Sequence, residues 1–328
     1  MTQSLQITSP ANGVTVKGTI TVAVTAVDVG QVNFLFDGKY AGYDSSAPFS
    51  WTLDTTHLPD GAHTITVESG NGAVKASVAV TVANGVTPPP PPPPPPGTLF
   101  QDDFIGQAVS PPDPSKWYVI SGRNFNGTPV AAANVFLDGN GHLVVRTARS
   151  GRGYTGGFLG TFNYTGWPTS GIKHSFALPF RAEMSALMPG APGAHTGLWA
   201  MNVDRPTSQD IYELDIAEER MTIPTVAGSH QHTWLSGVDK HPVDASMAVT
   251  DMARNWHIYA SEVYADHVTN YVDGKAVGSF YGVSGKFGLL LNNEIDPAGT
   301  WGAHGGQPAA GDPGPWDMLV DYVRVSAL

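Results

Sequence analysis

The sequence predicts an all-β protein built in two parts. Gly (38) and Pro (27) are abundant among 328 residues, while charged residues reach only 14%, well under the usual ~25%. That balance favours many strands joined by turns over helices. Apolar residues alternate with period two along the first part of the chain, the spacing of half-buried strands. A run of nine prolines, Pro88 to Pro96, then divides the chain. The parts are a small module over residues 1–86, a linker over 87–97 and a large domain over 98–328.

In the first module, Ile20, Val22, Val24 and Ala26 alternate with small or polar residues. Val32, Phe34 and Phe36 follow, then Ile65 and Val67, then Val78, Val80 and Val82. Turn signals such as Asp37-Gly38, Pro59-Asp60-Gly61 and Gly70-Asn71-Gly72 separate the runs. Short strands at this spacing make a sandwich. Phe36-Asp37-Gly38, Ala47-Pro48-Phe49 and Leu58-Pro59-Asp60-Gly61-Ala62-His63 resemble bacterial Ig-like domains. No catalytic constellation is visible here, and His57 and His63 read as turn-flanking residues.

The nine prolines form polyproline II, at ~3.1 Å per residue roughly 28 Å of semi-rigid spacer. A ligand for a proline-binding module is the other reading of such a run.

In the large domain, the stretch that carries chemistry is Tyr212-Glu213-Leu214-Asp215-Ile216-Ala217-Glu218. As a strand, it puts Glu213 and Asp215 on one face and turns Glu218 away. One extra residue, a β-bulge at Ile216 or Ala217, returns Glu218 to that face. Glu213 and Glu218 then lie roughly 13 Å apart at Cα, and leaning side chains can close most of the gap. Carboxyl groups ~5–5.5 Å apart suit retaining glycoside hydrolysis. Ile211, Leu214 and Ala217 are also three apart, so a solvated helix is a second reading of this stretch taken alone.

The surrounding motifs resemble glycoside hydrolase family 16, the laminarinase, lichenase and agarase group. In order they are Phe100-Gln101-Asp102-Asp103-Phe104, Lys116-Trp117, Leu137 to Thr147, Gly197-Leu198-Trp199, the bulged acidic signature and Gly228-Ser229-His230. Trp256 to Glu262, Tyr271 to Lys275, Leu290-Leu291-Asn292 and Val320 to Val325 complete the set. The resemblance implies a concanavalin-like β-jelly roll with a sugar cleft. It implies Glu213 as nucleophile, Glu218 as general acid/base and Asp215 as assisting carboxylate. The activity expected is retaining, endo-acting cleavage of a β-linked polysaccharide, of β-1,3-glucan or galactan type. Clustered carboxylates raise one another's pKa, which suits an acid that stays protonated near neutrality.

Trp199, Trp234, Trp301 and Trp167 are the expected sugar platforms, with Asn292 beside them, while Trp117 and Trp256 read as core. His230 and His232 either line the cleft or bind metal as an i, i+2 pair. The resemblance also implies one structural Ca²⁺, held by Asp103, the carbonyl of Gly141 and Asp321, and no cofactor for catalysis. The other reading of Asp321 is a strand cap. Three departures from the family pattern stand out. His195 replaces the first Trp of the usual W-P-A-x-W run, Val263 stands where a Trp is usual, and the usual E-A-R run is not matched cleanly around Phe180-Arg181-Ala182-Glu183; these are expected to alter the cleft walls and leave the chemistry alone.

A net charge of −11 argues against nucleic acid as the main partner. No apolar stretch approaches ~18 residues, so membrane insertion by a helix is not expected. There is no cysteine, hence neither a disulfide framework nor a thiolate metal site. The first residues carry no basic and apolar leader pattern. The layout resembles minor tail proteins of actinobacterial phages. An extracellular setting is expected, on a virion tail or secreted, with virion tail proteins as partners of the Ig-like domain. The rival to an enzyme is a glycan-binding or structural tail protein that kept the fold.

Overall fold

A computed structural model describes residues 3–58, 61–84, 93–125, 127–151, 153–164, 171–205, 207, 209–240, 243–295, 306–308, 312 and 314–328. Among these residues the ordered elements are strands and two short 3₁₀ turns, with no α-helix. The chain divides into two compact units, one built on Met1–Thr87 and the other on Pro88–Pro308 and Pro315–Leu328. Residues 87–92 of the predicted linker, with 85 and 86 before them, lie outside the described residues.

The first unit is a sandwich. One sheet has three strands, in the order Ser4–Ser9, Thr19–Val27, Phe49–Asp54. The other has five, in the order Val14–Val16, Lys75–Val82, Gly61–Ser69, Val32–Phe36, Lys39–Asp44. The alternating apolar positions are the ones that meet between the sheets: Val22, Val32, Phe34, Ile65 and Val67 are fully buried. His63 sits against Asp37, its Nδ1 2.8 Å from Oδ2, and stacks on Phe36.

The second unit is built on two nine-stranded antiparallel sheets, with a two-stranded ribbon of Arg123–Phe125 and Thr128–Val130, a jelly-roll arrangement. One sheet runs Tyr118–Val119, Gly157–Gly160, Lys286–Ile295, Ala194–Asn202, Ile211–Arg220, Val226–Leu235, Val238–Asp239, with Phe176–Ala177 and Val243–Ala248 attached. The other runs Val135–Leu137, Leu143–Ser150, Trp316–Ala327, Phe180–Leu187, His257–Val263, His267–Val272, Lys275–Tyr281, with Thr98–Asp102 and Gly153–Thr155 attached. Thr98–Asp102 pairs with Trp316–Ala327, so the two ends of the unit close one sheet.

The strand Lys286–Ile295 shows how the layers are sorted. Leu289 and Leu291 point into the core between the sheets, while Leu290 points the other way into an aromatic cluster. Period-two alternation therefore buries both faces, and the strand reads as a continuous apolar run. Trp117 is core as expected, 2% exposed, with Nε1 donating to Asp102 Oδ2 at 2.7 Å. Trp256 is not: it is half-buried and lies against His142, because it precedes its strand instead of pointing between the sheets. Val263 is fully buried in the sheet opposite the cleft, so the departure there does not shape the cleft wall.

Candidate active site

The strand Ile211–Arg220 is flanked by Ala194–Asn202 and Val226–Leu235. Its register places Trp199 opposite Asp215 but Leu198 opposite Ala217, so Ile216 is the extra residue of a β-bulge. The bulge does what the spacing required: Glu213, Asp215 and Glu218 all line one cleft. It is held from behind. Ser229 Oγ donates to the Ile216 carbonyl at 2.8 Å, and Asn270, from the other sheet, donates to Ser229 Oγ at 3.1 Å and to the Asp215 carbonyl at 3.3 Å. Gly228 lies alongside, where a Cβ would come 2.8 Å from the Glu218 carbonyl. Only glycine fits so close to the bulged strand.

The cleft has a volume of ≈ 420 Å³, within the usual range of ~300–1,000 Å³ for ligand sites. Carboxylate oxygens of Glu213 and Asp215 and a ring nitrogen of His232 lie within 4.8 Å of one another. Burial, with Glu218 and Asp239 nearby, pushes Glu213 up to about 7, against the pull of His232 and His195. Burial, then Glu218 and Glu213, holds Asp215 well above the usual carboxylate range. Like charges out of water cannot all ionise together, so this cluster keeps protons near neutrality.

Aromatic rings wall the cleft. Trp199 is stacked with Phe125, ring centres 6.1 Å apart, and meets Tyr164 edge-on at 5.5 Å. Its Nε1 donates to Asn292 Oδ1 at 2.8 Å, and Asn292 Nδ2 donates to Glu294 Oε2 at 3.0 Å. Asn292 thus lines the cleft and also fixes the indole plane. Trp234 stacks on His232 at 4.8 Å, and His232 Nδ1 is 2.6 Å from Asp239 Oδ2. His230 is buried behind Glu218, with Nδ1 2.7 Å from Asp244 Oδ1 and Nε2 3.4 Å from Glu218 Oε2. Trp167 and Trp301 lie outside the described residues.

Three contributors were not legible as site residues. Phe125 and Tyr164 belong to segments with no motif. His195 was expected as cleft wall, and it lines the cleft, but it also reaches the chemistry. Its Nε2 is 2.9 Å from Glu218 Oε1 and its Nδ1 is 2.7 Å from Glu294 Oε1. The loss of a tryptophan from the family pattern at this position was the available signal.

Of the residues expected around a calcium ion, Asp103 and Asp321 lie close enough to act on one another electrostatically. Asp321 is pushed up by burial, held down by His142 and Arg324, and raised further by Asp103. Its Oδ2 is buried without a hydrogen-bond partner among the described residues. Asp103 Oδ1 is 3.4 Å from Arg324 Nη2. An orphaned buried carboxylate oxygen near a second carboxylate, with hard oxygen donors, fits a cation such as Ca²⁺.

Comparison with known proteins agrees with this architecture. Residues 4–67 match the family model described as a bacterial Ig domain. A search of curated proteins finds no match to the chain. Among solved structures, the chain is similar to the endo-β-1,3-glucanase of Pyrococcus furiosus, at 22% identity and TM-score 0.57, over 70% of this chain and 94% of that one. It is similar to the laminarinase of Rhodothermus marinus, at 24% identity and TM-score 0.58, over 72% and 99%. It is also similar to a Mycobacterium tuberculosis protein called an immunostimulatory antigen and pseudo β-1,3-glucanase, at 25% identity and TM-score 0.56, over 71% and 99%. The chain therefore joins a bacterial Ig-like sandwich to a jelly roll with the fold of laminarinases and endo-β-1,3-glucanases.

Proposed function

We propose that the second unit is a retaining, endo-acting glycoside hydrolase of family 16 type, cleaving a β-linked polysaccharide of β-1,3-glucan or galactan class. The observation that carries this is the bulged strand, which sets Glu213, Asp215 and Glu218 on one cleft face between Trp199 and Trp234. In the first step Glu213 attacks the anomeric carbon while Glu218 gives its proton to the departing glycosidic oxygen. In the second, Glu218 takes a proton from water as the water displaces Glu213, so the configuration is retained. Asp215 keeps its proton and lends it to Glu213 as a hydrogen bond. Trp234, half-buried at the cleft, suits stacking against a sugar ring, while Trp199, packed on Phe125 and Phe158, backs the cleft wall.

Laminarin hydrolysis by wild type and Glu213→Gln tests this reading. Wild type is expected to release oligosaccharides whose first-formed anomer, seen by proton NMR, is β. The variant is expected to retain less than about 1% of the rate with an unchanged circular dichroism spectrum. Turnover by the variant above that level refutes the assignment. Binding of laminarin without turnover by wild type would instead support a glycan-binding domain, the alternative that the Mycobacterium tuberculosis neighbour motivates.

We also propose that Asp103, the Gly141 carbonyl and Asp321 hold a structural Ca²⁺, which has no part in the reaction. The Ig-like unit and the nine prolines support carriage of the cleft on a larger body such as a phage tail. Immunodetection in purified virions, against its presence free in culture medium, separates a virion protein from a secreted enzyme.

A further inference from the structure

His195 is held at both ring nitrogens, and these contacts join groups from different strands. It lies opposite Glu294 in the ladder between Ala194–Asn202 and Lys286–Ile295. On its other side it reaches Glu218 of the bulged strand. Glu294 is fully buried, and an uncompensated charge there would be costly. Among the groups that offset it are the imidazole Nδ1 at 2.7 Å and Asn292 Nδ2 at 3.0 Å.

Both ring nitrogens thus face a carboxylate oxygen within hydrogen-bond distance. Neutral imidazole has one donor and one acceptor nitrogen; only the imidazolium donates from both. We propose that His195 is a positioning residue: as an imidazolium clamped between Glu294 and Glu218, it locks Oε1 of Glu218 as a permanent acceptor and leaves Oε2 to carry the transferable proton. This rests on the hydrolase reading for its mechanistic meaning, though not for the clamp itself.

Two further facts support it. Burial opposes charge on His195, but Glu294 and Glu218 outweigh burial and hold its pKa well above the ordinary 6.5. Among the described residues, the other titratable groups facing the clamp are Asp215 and Glu213 across the cleft and His230, with Nε2 3.4 Å from Glu218 Oε2. The contact of Oε2 with His230, at 3.4 Å, is longer than that of Oε1 with His195, at 2.9 Å.

The proton balance is simple. Oε2–H passes its proton to the glycosidic oxygen as the C1–O bond breaks and the bond to Glu213 forms. Oε2 then takes a proton from water as water bonds to C1 and Glu213 leaves. His195 keeps both ring protons throughout and donates to Oε1 in both states.

Two measurements on the full chain test the clamp. Proton–nitrogen correlation spectra of the imidazoles, assigned by the signals lost in His195→Gln, should show both nitrogens of His195 protonated at about pH 7. One bare nitrogen at that pH overturns the proposal. In Glu294→Gln, which keeps shape and removes one carboxylate, the ring should lose its second proton at a pH about one unit lower or more; an unmoved titration also overturns it. With laminarin as substrate, His195→Gln should lower kcat about 10–100-fold with KM within about twofold, while its melting curve shows it folded. An unchanged kcat, or a defect confined to KM, refutes the positioning role. If wild type leaves laminarin intact, the hydrolase reading fails separately, and the nitrogen signals still decide whether the clamp exists.

Discussion

Glu219 follows Glu218, the proposed acid/base, in sequence but points the opposite way, into the space between the two sheets. It is 0% exposed. One carboxyl oxygen accepts from the Gly228 N–H at 3.2 Å, and the other has no hydrogen-bond partner among the described residues. Burial pushes its pKa up to about 8, the Gly228 N–H opposes this, and Glu218 adds to it. In the unfolded chain the carboxyl returns to its ordinary 4.5.

The sign follows from linkage: a carboxyl raised in the folded state favours folding while protonated. Its benefit is complete below about pH 4.5 and is lost as pH rises through about 8. At ~1.4 kcal/mol per pH unit, the full loss is ~5 kcal/mol, and the part between about pH 5 and 7 is ~2–3 kcal/mol. Glu219→Gln keeps the shape and cannot ionise, so it should abolish that share of the pH dependence. Urea unfolding of both proteins, followed by tryptophan fluorescence at pH about 5 and 7, gives the difference directly. The variant should gain ~2–3 kcal/mol relative to wild type between the two pH values. A stability difference that is the same at both would refute the buried, protonated carboxyl.

Because Glu213 is pushed up to about 7, kcat/KM on laminarin should fall about tenfold per pH unit below about 7, as the nucleophile gains a proton. A flat profile between about pH 5 and 7 counts against Glu213 as the ionised nucleophile. Calcium at a hundredfold over its Kd should stabilise the second unit by ~2.7 kcal/mol, or about 5–10 °C in Tm. EDTA should reverse that gain and Asp321→Asn should abolish it; melting curves identical with and without the ion refute the site.

The alternating runs of the first module and the acidic signature of the second were readable because their causes are local. Side-chain parity is set by the backbone, so Val32, Phe34, Ile65 and Val67 announce their buried face, and the misplaced parity of Glu218 announces a bulge. The bulge is found at Ile216, one of the two positions expected. Period two also predicts that Glu219 points away from the cleft, but not that it is sealed between sheets beside Tyr259. That depends on which strand of the second sheet packs beneath it.

The walls and clamps of the cleft depend on pairing between distant segments, and nothing within either segment records its partner. Phe125, Tyr164 and Trp199 form one cluster from three parts of the chain. Asn292, expected as a sugar ligand, lines the cleft and also fixes Trp199. His195 and Glu294 stand 99 residues apart, and only the register between their strands brings them to 2.7 Å. The sequence by itself determined the fold class, the carboxylates and the face they share. The tertiary structure decided which histidine holds which carboxylate, because hydrogen bonds act over a few ångströms, and only the packed sheets determine which residues come that close.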